Sequence, residues 1–531
     1  MKSGKTTLSS WQKLFSIVAL LIVPALVWAN QKKSTSPPPS KPAARPATNA
    51  QRPGAARPGT NANTRPGMTR PGTNANTRPG AVRPGATNTA GRPAAPTTRG
   101  PVTPTRGLQP AARGPAGRTT RSVSLPGGRT ADVTRGRGGR VTEIRSRGRD
   151  GSQVTVSHTL RGQRRVVVER NGRMIVADGR RGGYVQRAYF TRGGRTYYQR
   201  TYWRDGHPYA RAYRGYDYRG VRYYGYAPGY YYHPAYYGWA YNPWAAPVYY
   251  GPAAWGWVGA PWYGYYGAYF TPYPVYATAS LWLTDYLIAA NLQAAYQAQA
   301  DANAAAAQQA YANGAAAQAQ ADAAAAGGPP PAGPPPAGPS ASAGQTPLSP
   351  EVKQAIADEV KAQLAAEQAA AANPQAAPSS AEVPDALNPA ERVFVVSSAL
   401  DVTPSAGGQE CALTPGDVVM RISDTPDANQ NVTASVQSSK QTDCGTGQTV
   451  AVGVQDLQEM HNQFREQLDS GLKTLADNSG KGGLPKAPDT ATTAGEVPTP
   501  APDPTAGAQL QDAQQDADQT EKAVQQSGSG S

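Results

Sequence analysis

Short runs of β-branched and aromatic residues, separated by polar and Gly-rich turns, fill the chain from residue 121 to residue 222. The runs include SQVTVSHT, RRVVVER and YVQRAYFT, and the turns include RDG, RNG and RGG. Runs of this length between Gly or Asn turns are typical of β-hairpins. We therefore predict a meander of β-hairpins over residues 121–222. Arg and aromatic side chains interleave along the runs, so purely apolar positions are few.

The pattern then changes to a stretch of rings over residues 223–280. This stretch is rich in Tyr, Trp, Gly and Pro and holds no Asp, Glu, Lys or Arg. Recurrent Pro and Gly exclude a membrane-spanning helix, and the regular alternation of a transmembrane barrel is missing. Because aliphatic residues that could fill gaps are scarce, we expect no dense core and predict an adhesive surface. The alternative is that the rings pack on the following helix and form an ordered platform.

Residues 281–326 have an Ala/Gln-rich helical pattern. Ala, Gln and Leu favour helix, Thr284 is the predicted N-cap and Asp285 lies in the predicted first turn. A stiff Pro/Gly-rich linker follows over residues 327–348.

A second helix is predicted over residues 349–372. Ser349 is the predicted N-cap, and Pro350 occupies the first helical position. Apolar residues then recur every four positions, at Val352, Ile356, Val360 and Leu364. Such a narrow stripe suits docking on a partner helix, as in a coiled coil, or on the next domain.

Residues 391–485 have the pattern of a small globular domain. Five strand-like runs, RVFVVSS, CAL, DVVMRIS, NVTASVQ and TVAVGV, precede an amphipathic helix. Asp456 is the predicted N-cap of that helix, and Glu459 completes a capping-box pattern. Apolar residues recur on one helix face at spacings of three and four. We predict a small β-barrel or roll with the helix packed across it.

The two remaining segments have the composition of disordered chain. Residues 30–120 are rich in Pro, Arg, Gly and Asn and contain a tandem RPGTNANT unit, and residues 486–531 form an acidic tail. Such segments cannot bury enough apolar surface to offset the loss of backbone entropy. The predicted fold class is therefore mixed and largely disordered, with a central β-hairpin meander, an Ala/Gln-rich helix and a C-terminal β-barrel or roll with one helix.

Charge is strongly segregated along the chain. Residues 1–222 hold 42 Lys/Arg and 7 Asp/Glu, residues 223–284 hold none of these, and residues 285–531 hold 10 Lys/Arg and 28 Asp/Glu. A basic half is thus followed by a neutral aromatic segment and an acidic half. This division excludes a description of the chain as one uniform domain.

The N-terminus has the features of a secretory signal peptide over residues 1–29. A basic start precedes an apolar stretch, and Val27 and Ala29 supply small residues at the −3 and −1 positions of a cleavage site. The alternative is an uncleaved anchor, but the apolar run is short and Pro24 interrupts it. We expect export to the periplasm, the outer surface or the medium, with no transmembrane span after cleavage.

The chain has two cysteines, Cys411 and Cys444. In an oxidising compartment, an isolated pair this close in sequence is predicted to form a disulfide. The alternatives, two free thiols or a metal site, find no set of nearby His and Cys residues to complete a ligand shell.

No constellation of residues predicts catalysis, a metal site or a cofactor. The four histidines are scattered and have no metal-ligand spacing, and His461 is expected on the polar, solvated side of its helix. The sequence has no GxSxG or SxxK motif. Asp417, after Pro-Gly, is expected to stabilise a turn. We therefore expect no enzyme, and a pocket shared by Asp417 and His461 would argue against this expectation.

Interleaved Arg and aromatic residues predict contact with a polyanion. Arg binds anionic groups and exposed rings offer flat faces, and many Arg–ring contacts together favour adhesion. The candidate contact residues are Arg187, Tyr189, Arg195, Tyr197, Arg200, Tyr202, Trp203, Trp239, Trp244, Trp255, Trp257 and Trp262.

The block PAYYGWAYNPWAAPVYY, followed by ASLWLTDYLIAANLQAAY, is similar to a group of uncharacterised exported bacterial proteins. Their C-terminal part resembles LTPGDVVMRISDTPDANQNV and the helix DLQEMHNQFREQLDSGLKTLA, and the turn TPGDVV also resembles the entry of SH3-like modules. The resemblance implies export and a small C-terminal β-rich domain. It implies no activity, site or cofactor.

The leading hypothesis is a non-enzymatic envelope or matrix protein. Its basic-aromatic half would bind acidic polysaccharide, lipopolysaccharide or peptidoglycan, or would self-associate. One alternative is an accessory module of a cell-wall enzyme. Another is an extracellular nucleic-acid binder, because RGRGGR and RGGRTYY resemble RNA-binding RGG segments, although export makes nucleic acid a less expected partner.

Overall fold

The structure is a computed structural model that describes residues 118–148, 150–179, 182–204, 206–324, 346–373, 383–440 and 444–528. The described residues all belong to one compact unit, Thr98–Ser531. The predicted signal peptide, residues 30–117 of the predicted tether and most of the predicted linker lie outside the described residues.

Ten strands form one antiparallel sheet in which each strand pairs only with its neighbours in sequence. This sheet confirms the predicted meander. The strands are β1 (Thr119–Leu125), β2 (Arg129–Arg135), β3 (Val141–Arg147), β4 (Gln153–His158), β5 (Arg164–Arg170), β6 (Arg173–Asp178), β7 (Gly182–Arg192), β8 (Arg195–Arg204), β9 (His207–Tyr218) and β10 (Val221–Ala227). The β5–β6 hairpin illustrates the turn chemistry: Asn171 and Gly172 have φ of 53° and 71°, as a two-residue type I′ turn requires.

The aromatic segment folds into short elements and loops. These are β11 (Tyr230–Tyr232), α1 (Pro234–Tyr241) and α2 (Pro261–Tyr266), followed by the long helix α3 (Ala279–Ala324) and then α4 (Pro350–Ala372). At the start of α4, the Ser349 hydroxyl accepts a hydrogen bond from the Val352 amide. Among the described residues, no helix has both the length and the apolar character needed to span a bilayer.

Contrary to our expectation, the rings form a dense core. They pack with one another and with aliphatic side chains of α3, α4 and the C-terminal helix, including Leu287, Ile356, Val360, Leu468 and Leu472. The expectation was wrong because the aliphatic residues that fill the gaps between rings come from distant segments. The alternative, in which the rings pack on the following helix, describes this arrangement.

The C-terminal domain contains an open six-stranded sheet, not a closed barrel. Its strand order is β12-β15-β16-β17-β13-β14. The elements are β12 (Val393–Val395), β13 (Leu400–Pro404), β14 (Cys411–Leu413), β15 (Val418–Arg421), β16 (Asn431–Ser438), β17 (Thr449–Gly453) and the helix α5 (Val454–Asp477). The predicted disulfide between Cys411 and Cys444 is confirmed.

Two predicted helix starts are wrong by several residues. Helix α3 begins at Ala279, so Thr284 lies inside it and its hydroxyl donates to the Ser280 carbonyl. Asp285 is fully buried and pairs with Lys353 of α4 at 2.7 Å. In α3, therefore, Asp285 makes a tertiary ion pair and does not lie in the first turn of the helix.

Helix α5 likewise begins at Val454, with Gly453 as its N-cap. Asp456 is therefore within the first turn and does not cap the helix. Glu459, expected to complete a capping box, reaches away from α5 to Arg200 of the meander.

The acidic tail is ordered where the structure describes it. Strand β18 (Thr492–Ala494) pairs with β11, and helix α6 (Ala506–Gly528) lies on one face of the meander. Its Leu510, Ala513 and Ala517 pack on Val156 and Val166. The composition of the tail predicted disorder. An alanine-rich helix face gives little indication of burial in the sequence, because the apolar sheet face on which it packs is formed by a distant segment.

Candidate functional site

The predicted contact residues lie in two places. Arg187 and Tyr189 are on β7, and Arg195, Tyr197, Arg200, Tyr202 and Trp203 are on β8. The five tryptophans belong to the aromatic core or pack against it. The set does not form one open surface.

Arg200 occupies the centre of a buried box. Its side chain is 0% exposed, and its guanidinium lies 4.0 Å and 4.5 Å from the ring centroids of Tyr213 and Tyr184. Two of its nitrogens donate to the two carboxylate oxygens of Glu459 at 2.6 Å and 2.8 Å, and the third donates to Gln186 at 2.7 Å. Bidentate pairing combined with two ring faces satisfies the cation within the protein. Arg200 is therefore unavailable to an external polyanion.

The tyrosines next to Arg200 are also bonded to acidic residues of α5. The hydroxyls of Tyr202 and Tyr213 donate to Glu466, and the hydroxyl of Tyr226 donates to Asp469. Burial raises the pKa of both carboxyls above the usual range, opposed by these hydrogen bonds. The sheet face that was predicted to bind an external acid thus binds the acidic face of α5.

The opposite face at the same end of the meander contacts the tail. Tyr197 is 5% exposed and donates to Glu496 at 3.1 Å, and its ring stacks on Phe190 with centroids 4.9 Å apart. Trp203 lies so close to Gly507 at the start of α6 that a Cβ at Gly507 would be 2.8 Å from the ring.

The remaining β7 and β8 candidates are partly buried. Arg187 donates to Gln199 at 3.4 Å, and the ring of Tyr189 meets Phe190 edge-on with centroids 5.3 Å apart. Arg195 is half-buried and interacts with the Tyr197 hydroxyl.

Helix α6 brings further acids to the basic sheet. Arg164 is 2.7 Å from both Asp518 and Glu521, and Arg170 is 3.0 Å from Asp516. Each of these pairs is partly exposed and stabilises little by itself. Together they fix α6 along the sheet in a register that matches basic to acidic residues.

The tryptophans are mainly structural. Trp244, Trp257 and Trp262 are 7–8% exposed. Trp255 is stacked between Trp257 and Trp282, with centroid distances of 4.5 Å and 4.3 Å. Trp239 stacks on Tyr236 and Trp244 at 5.6 Å and 5.3 Å. These contacts use most of the ring faces that were expected to be adhesive.

The pairing of the two halves has a consequence for net charge. Residues 1–29 hold three Lys and no acid, and residues 30–117 hold 14 Lys/Arg and no acid. Residues 118–531 hold 35 Lys/Arg and 35 Asp/Glu. The whole net charge of +17 is therefore located N-terminal to the meander.

Sequence reasoning missed the acidic partners on α5. One face of the helix carries a polar stripe of three acids and one asparagine, at spacings of three, four and three: Glu459, Asn462, Glu466 and Asp469. That stripe, combined with an opposite net charge on the preceding half of the chain, was the available signal for an internal interface.

His461 and Asp417 do not share a site. His461 is 5% exposed and lies 2.8 Å from Glu391 and 4.0 Å from Asp385, so the expectation of a solvated histidine was wrong. Burial opposes its protonation, but Glu391 and Asp385 outweigh that effect and raise the pKa of His461. Asp417 is instead paired with Lys440 at 2.7 Å and accepts a hydrogen bond from the Thr414 amide.

Two cavities lie among the described residues. One of about 10 Å³ beside His461 has room for a single water. Another, of about 400 Å³, lies near the β1–β2 and β3–β4 turns and is lined by Arg129, Asp150, Arg170 and Asp516, among others. Both aspartates of this cavity lie beside Arg170, so its charges are balanced internally. In the part of the chain that the structure describes, no group of three His, Cys, Asp or Glu is arranged to hold a metal ion.

Compared with protein-family models, curated proteins and solved structures, the chain has no significant match. The resemblance to exported bacterial proteins thus stays a prediction from the quoted segments.

Proposed function

We propose that the protein is a non-enzymatic, exported envelope or matrix protein that attaches to polyanionic surfaces through the basic segment 30–117. Residues 118–531, which have no net charge, would be the body that this segment anchors. The observation that supports the proposal is the location of the net charge. The body has equal numbers of basic and acidic residues, whereas residues 30–117 hold 14 Lys/Arg and no acid.

The chemistry of the basic segment suits acidic polysaccharide, lipopolysaccharide or peptidoglycan. Eleven of its 14 cations are arginines, whose guanidinium groups bind carboxylates and phosphates in a bidentate manner. No internal acid competes for them within the segment. Attraction between many such cations and a polymer of negative charge is long-ranged and is weakened by salt.

The body contributes less to this attraction than the sequence suggested. Arg200, Tyr202 and Tyr213 bind acids of α5, and Arg164 and Arg170 bind acids of α6. An external polyanion would have to displace these internal partners. The principal contact with a polyanion would therefore lie in the segment before the basic-aromatic sheet and not in the sheet itself.

Binding of the full chain to polygalacturonate at increasing salt tests the proposal. Arg→Gln substitution at Arg52, Arg57, Arg65, Arg70, Arg78 and Arg83 removes six cations from the segment. We expect the affinity at 0.05 M salt to fall at least tenfold, together with the steepness of its salt dependence. Arg→Lys substitution at the same positions is the matched control, and we expect it to retain most of the affinity.

A second variant localises the contact. Arg135, Arg140 and Arg147 are exposed at turns of the meander, and Arg→Gln substitution there removes cations from the body. We expect a small effect. Loss of affinity from this variant equal to that from the six-position variant would contradict the proposal, as would binding that does not respond to salt.

A further inference from the structure

The larger of the two cavities, of about 400 Å³, lies between the meander and α6. Strand ends and turns of the meander form most of its wall, and Asp516 of α6 forms the remainder. Clefts of a few hundred cubic ångströms are the usual size of small-molecule sites. We call this cavity the turn cavity.

Arg129, at the start of β2, supplies the turn cavity with a cation that has no internal partner. Arg129 is half-buried. Within the described part of the chain, it makes no ion pair and donates no side-chain hydrogen bond. The other cation of the cavity, Arg170 at the end of β5, is instead 3.0 Å from Asp516 and 3.8 Å from Asp150. The Arg129 guanidinium is therefore available to a carboxylate of a ligand, which it can bind through two hydrogen bonds.

The β5 side of the turn cavity has an excess of negative charge. Asp150 and Asp516 share one cation, Arg170, which lies closer to Asp516. The Asp150 side chain is 60% exposed, and its Oδ1 atom accepts hydrogen bonds from the amide and the hydroxyl of Ser152. These bonds fix the carboxylate in place. Because one guanidinium cannot neutralise two carboxylates, Asp150 is available to an ammonium group.

Ser146 and Val154 lie between the two charged sides of the turn cavity. They are 2% and 8% exposed, and they oppose one another on β3 and β4. Among the described residues, the Ser146 hydroxyl has no hydrogen-bond partner. A nearly buried hydroxyl without a partner, beside an apolar side chain, suits an amide group of a peptide.

The arrangement of charge selects the class of ligand. The two arginines and two aspartates of the turn cavity sum to zero, but the unpaired cation is on β2 and the shared acids are beside β5. A zwitterion matches both sides, whereas a simple anion would meet the aspartates and a simple cation would meet the arginines.

The width of the turn cavity indicates the length of that ligand. Strands β2 and β5 are separated by three inter-strand spacings, which place their backbones about 14 Å apart. An extended peptide of two or three residues is roughly 7–10 Å long. The long Arg129 side chain covers the remaining distance.

We propose that the turn cavity binds a short peptide with free termini, with its carboxylate on Arg129, its ammonium on Asp150 and an amide group on Ser146. The site is separate from residues 30–117 and does not depend on the function proposed for them. Because Asp516 belongs to α6, the site is complete only when α6 lies on the meander.

Saturation-transfer NMR on the full chain tests the proposal, with triglycine as the probe. Two derivatives are matched controls: N-acetyl-triglycine lacks the ammonium group, and triglycine amide lacks the carboxylate. We expect triglycine to bind and each derivative to bind about tenfold more weakly, because each loses one charge-assisted contact. Absence of transfer to triglycine, or equal affinities of the three peptides, would overturn the proposal.

Substitutions assign each terminus of the peptide to its side chain. Arg129→Gln should lower the affinity for triglycine about tenfold and leave the affinity for triglycine amide unchanged. Asp150→Asn, which keeps an acceptor for Ser152, should lower the affinity for triglycine several-fold and leave that for N-acetyl-triglycine unchanged. Circular dichroism checks that both variants are folded. A folded Arg129→Gln variant that binds triglycine as the wild type does would contradict the proposal.

Two further variants separate the turn cavity from general positive charge. Arg135→Gln removes an exposed arginine from the other end of β2 and should leave triglycine binding unchanged. The six-position Arg→Gln variant of residues 30–117 should also bind triglycine normally while it loses affinity for polygalacturonate. If either variant weakened triglycine binding as much as Arg129→Gln does, the peptide would be held by general positive charge and not by the turn cavity.

Discussion

At the scale of single residues, the interior of this protein contains charges that the sequence suggested were on its surface. Arg200 is fully buried between Tyr184 and Tyr213 and bound to Glu459. A buried ion pair contributes little net stability compared with apolar residues, but removing one partner leaves the other charge uncompensated. Substitution of such a residue therefore tests the pairing between the basic half and the acidic half of the chain.

Arg200→Met should lower the free energy of unfolding by about 2–3 kcal/mol, because the buried Gln186 and the partly exposed Glu459 would both lose their donor. Urea denaturation followed by tryptophan fluorescence measures this. Arg187→Met, on the neighbouring strand and half-buried, is the control and should cost less than about 1 kcal/mol. Equal losses from the two variants would show that the buried Arg200 contributes no more stability than the half-buried Arg187.

Glu359 of α4 should make stability depend on pH near neutrality. The residue is 8% exposed, and burial, reinforced by Glu391, raises the pKa of its carboxyl to about 7, although Gln363 and His461 act in the opposite direction. The folded state therefore holds a proton that the unfolded state releases above about pH 4.5. Stability should fall as pH rises through 7, and the raised pKa of His461 acts in the same direction.

Glu359→Gln should consequently stabilise the protein by roughly 1–3 kcal/mol at pH 8 and have little effect at pH 5. Urea denaturation at the two pH values measures the difference. Asp358→Asn, at the next and exposed position, should show no such dependence. A Glu359→Gln variant with the same gain at both pH values would exclude a buried, titrating carboxyl.

At the scale of elements, α5 joins the meander to the C-terminal domain by using two faces. Its apolar residues, among them Leu468 and Leu472, enter the aromatic core. The stripe that contains Glu466 and Asp469 bonds to tyrosines of the meander. The same helix also covers part of the outer edge of β10, where unpaired backbone groups would invite association with other strands.

Asn462 of α5 provides that cover. Its side-chain oxygen accepts from the Tyr226 amide at 2.9 Å, and its nitrogen donates to the Tyr224 carbonyl at 2.8 Å. Asn462→Leu would leave both groups without these partners and should lower the free energy of unfolding by about 2–3 kcal/mol. Asn462→Asp retains only the acceptor and should have an intermediate effect. Denaturation curves of the two variants that coincide with the wild type would contradict this role.

The disulfide should stabilise the C-terminal domain. Cys411 and Cys444 are separated by 33 residues, and closing a loop of that length stabilises by roughly 3–4 kcal/mol on the chain-entropy model. The double variant Cys411→Ala, Cys444→Ala should unfold at correspondingly lower urea. Reductant should shift the wild type toward the variant and leave the variant unchanged; a wild type that does not respond to complete reduction would show that the cross-link adds no stability.

The elements differ in how far the sequence could predict them. Turns such as Asn171–Gly172 were predictable because a positive φ is a local requirement. The start of α4 was equally local, since Ser349 and Pro350 act within one turn. The start of α5 was missed because Glu459 has its partner 259 residues away in the sequence, and no local pattern records such a contact.

The same reason explains the errors at the candidate site. Arg and Tyr residues on β8 were predicted to contact an external polyanion, and in the structure Arg200 and Tyr202 bind acidic residues of this chain. The rings of residues 223–280 were expected to be exposed because their aliphatic neighbours lie on α3, α4 and α5. The chemical character of these residues could be predicted from the sequence, but the residues that they contact in the fold could not.

At the scale of the whole molecule, the opposite charges of the two halves neutralise each other within the folded body. The basic meander is bound on its faces by acidic residues of α5, the tail and α6. The excess positive charge is left in residues 1–117. A body without net charge attached to a basic segment would keep its own surfaces free of strong electrostatic attraction while the segment binds.

The most direct test of this account is arginine footprinting of the full chain with phenylglyoxal and mass spectrometry, with and without polygalacturonate at 0.1 M salt. The account predicts that the polymer protects Arg52, Arg57, Arg65 and the other arginines of residues 30–117, and leaves the labelling of Arg164, Arg170 and Arg200 unchanged. Protection or exposure of those three body residues, without protection in residues 30–117, would show that the polymer displaces the internal acids and would contradict it.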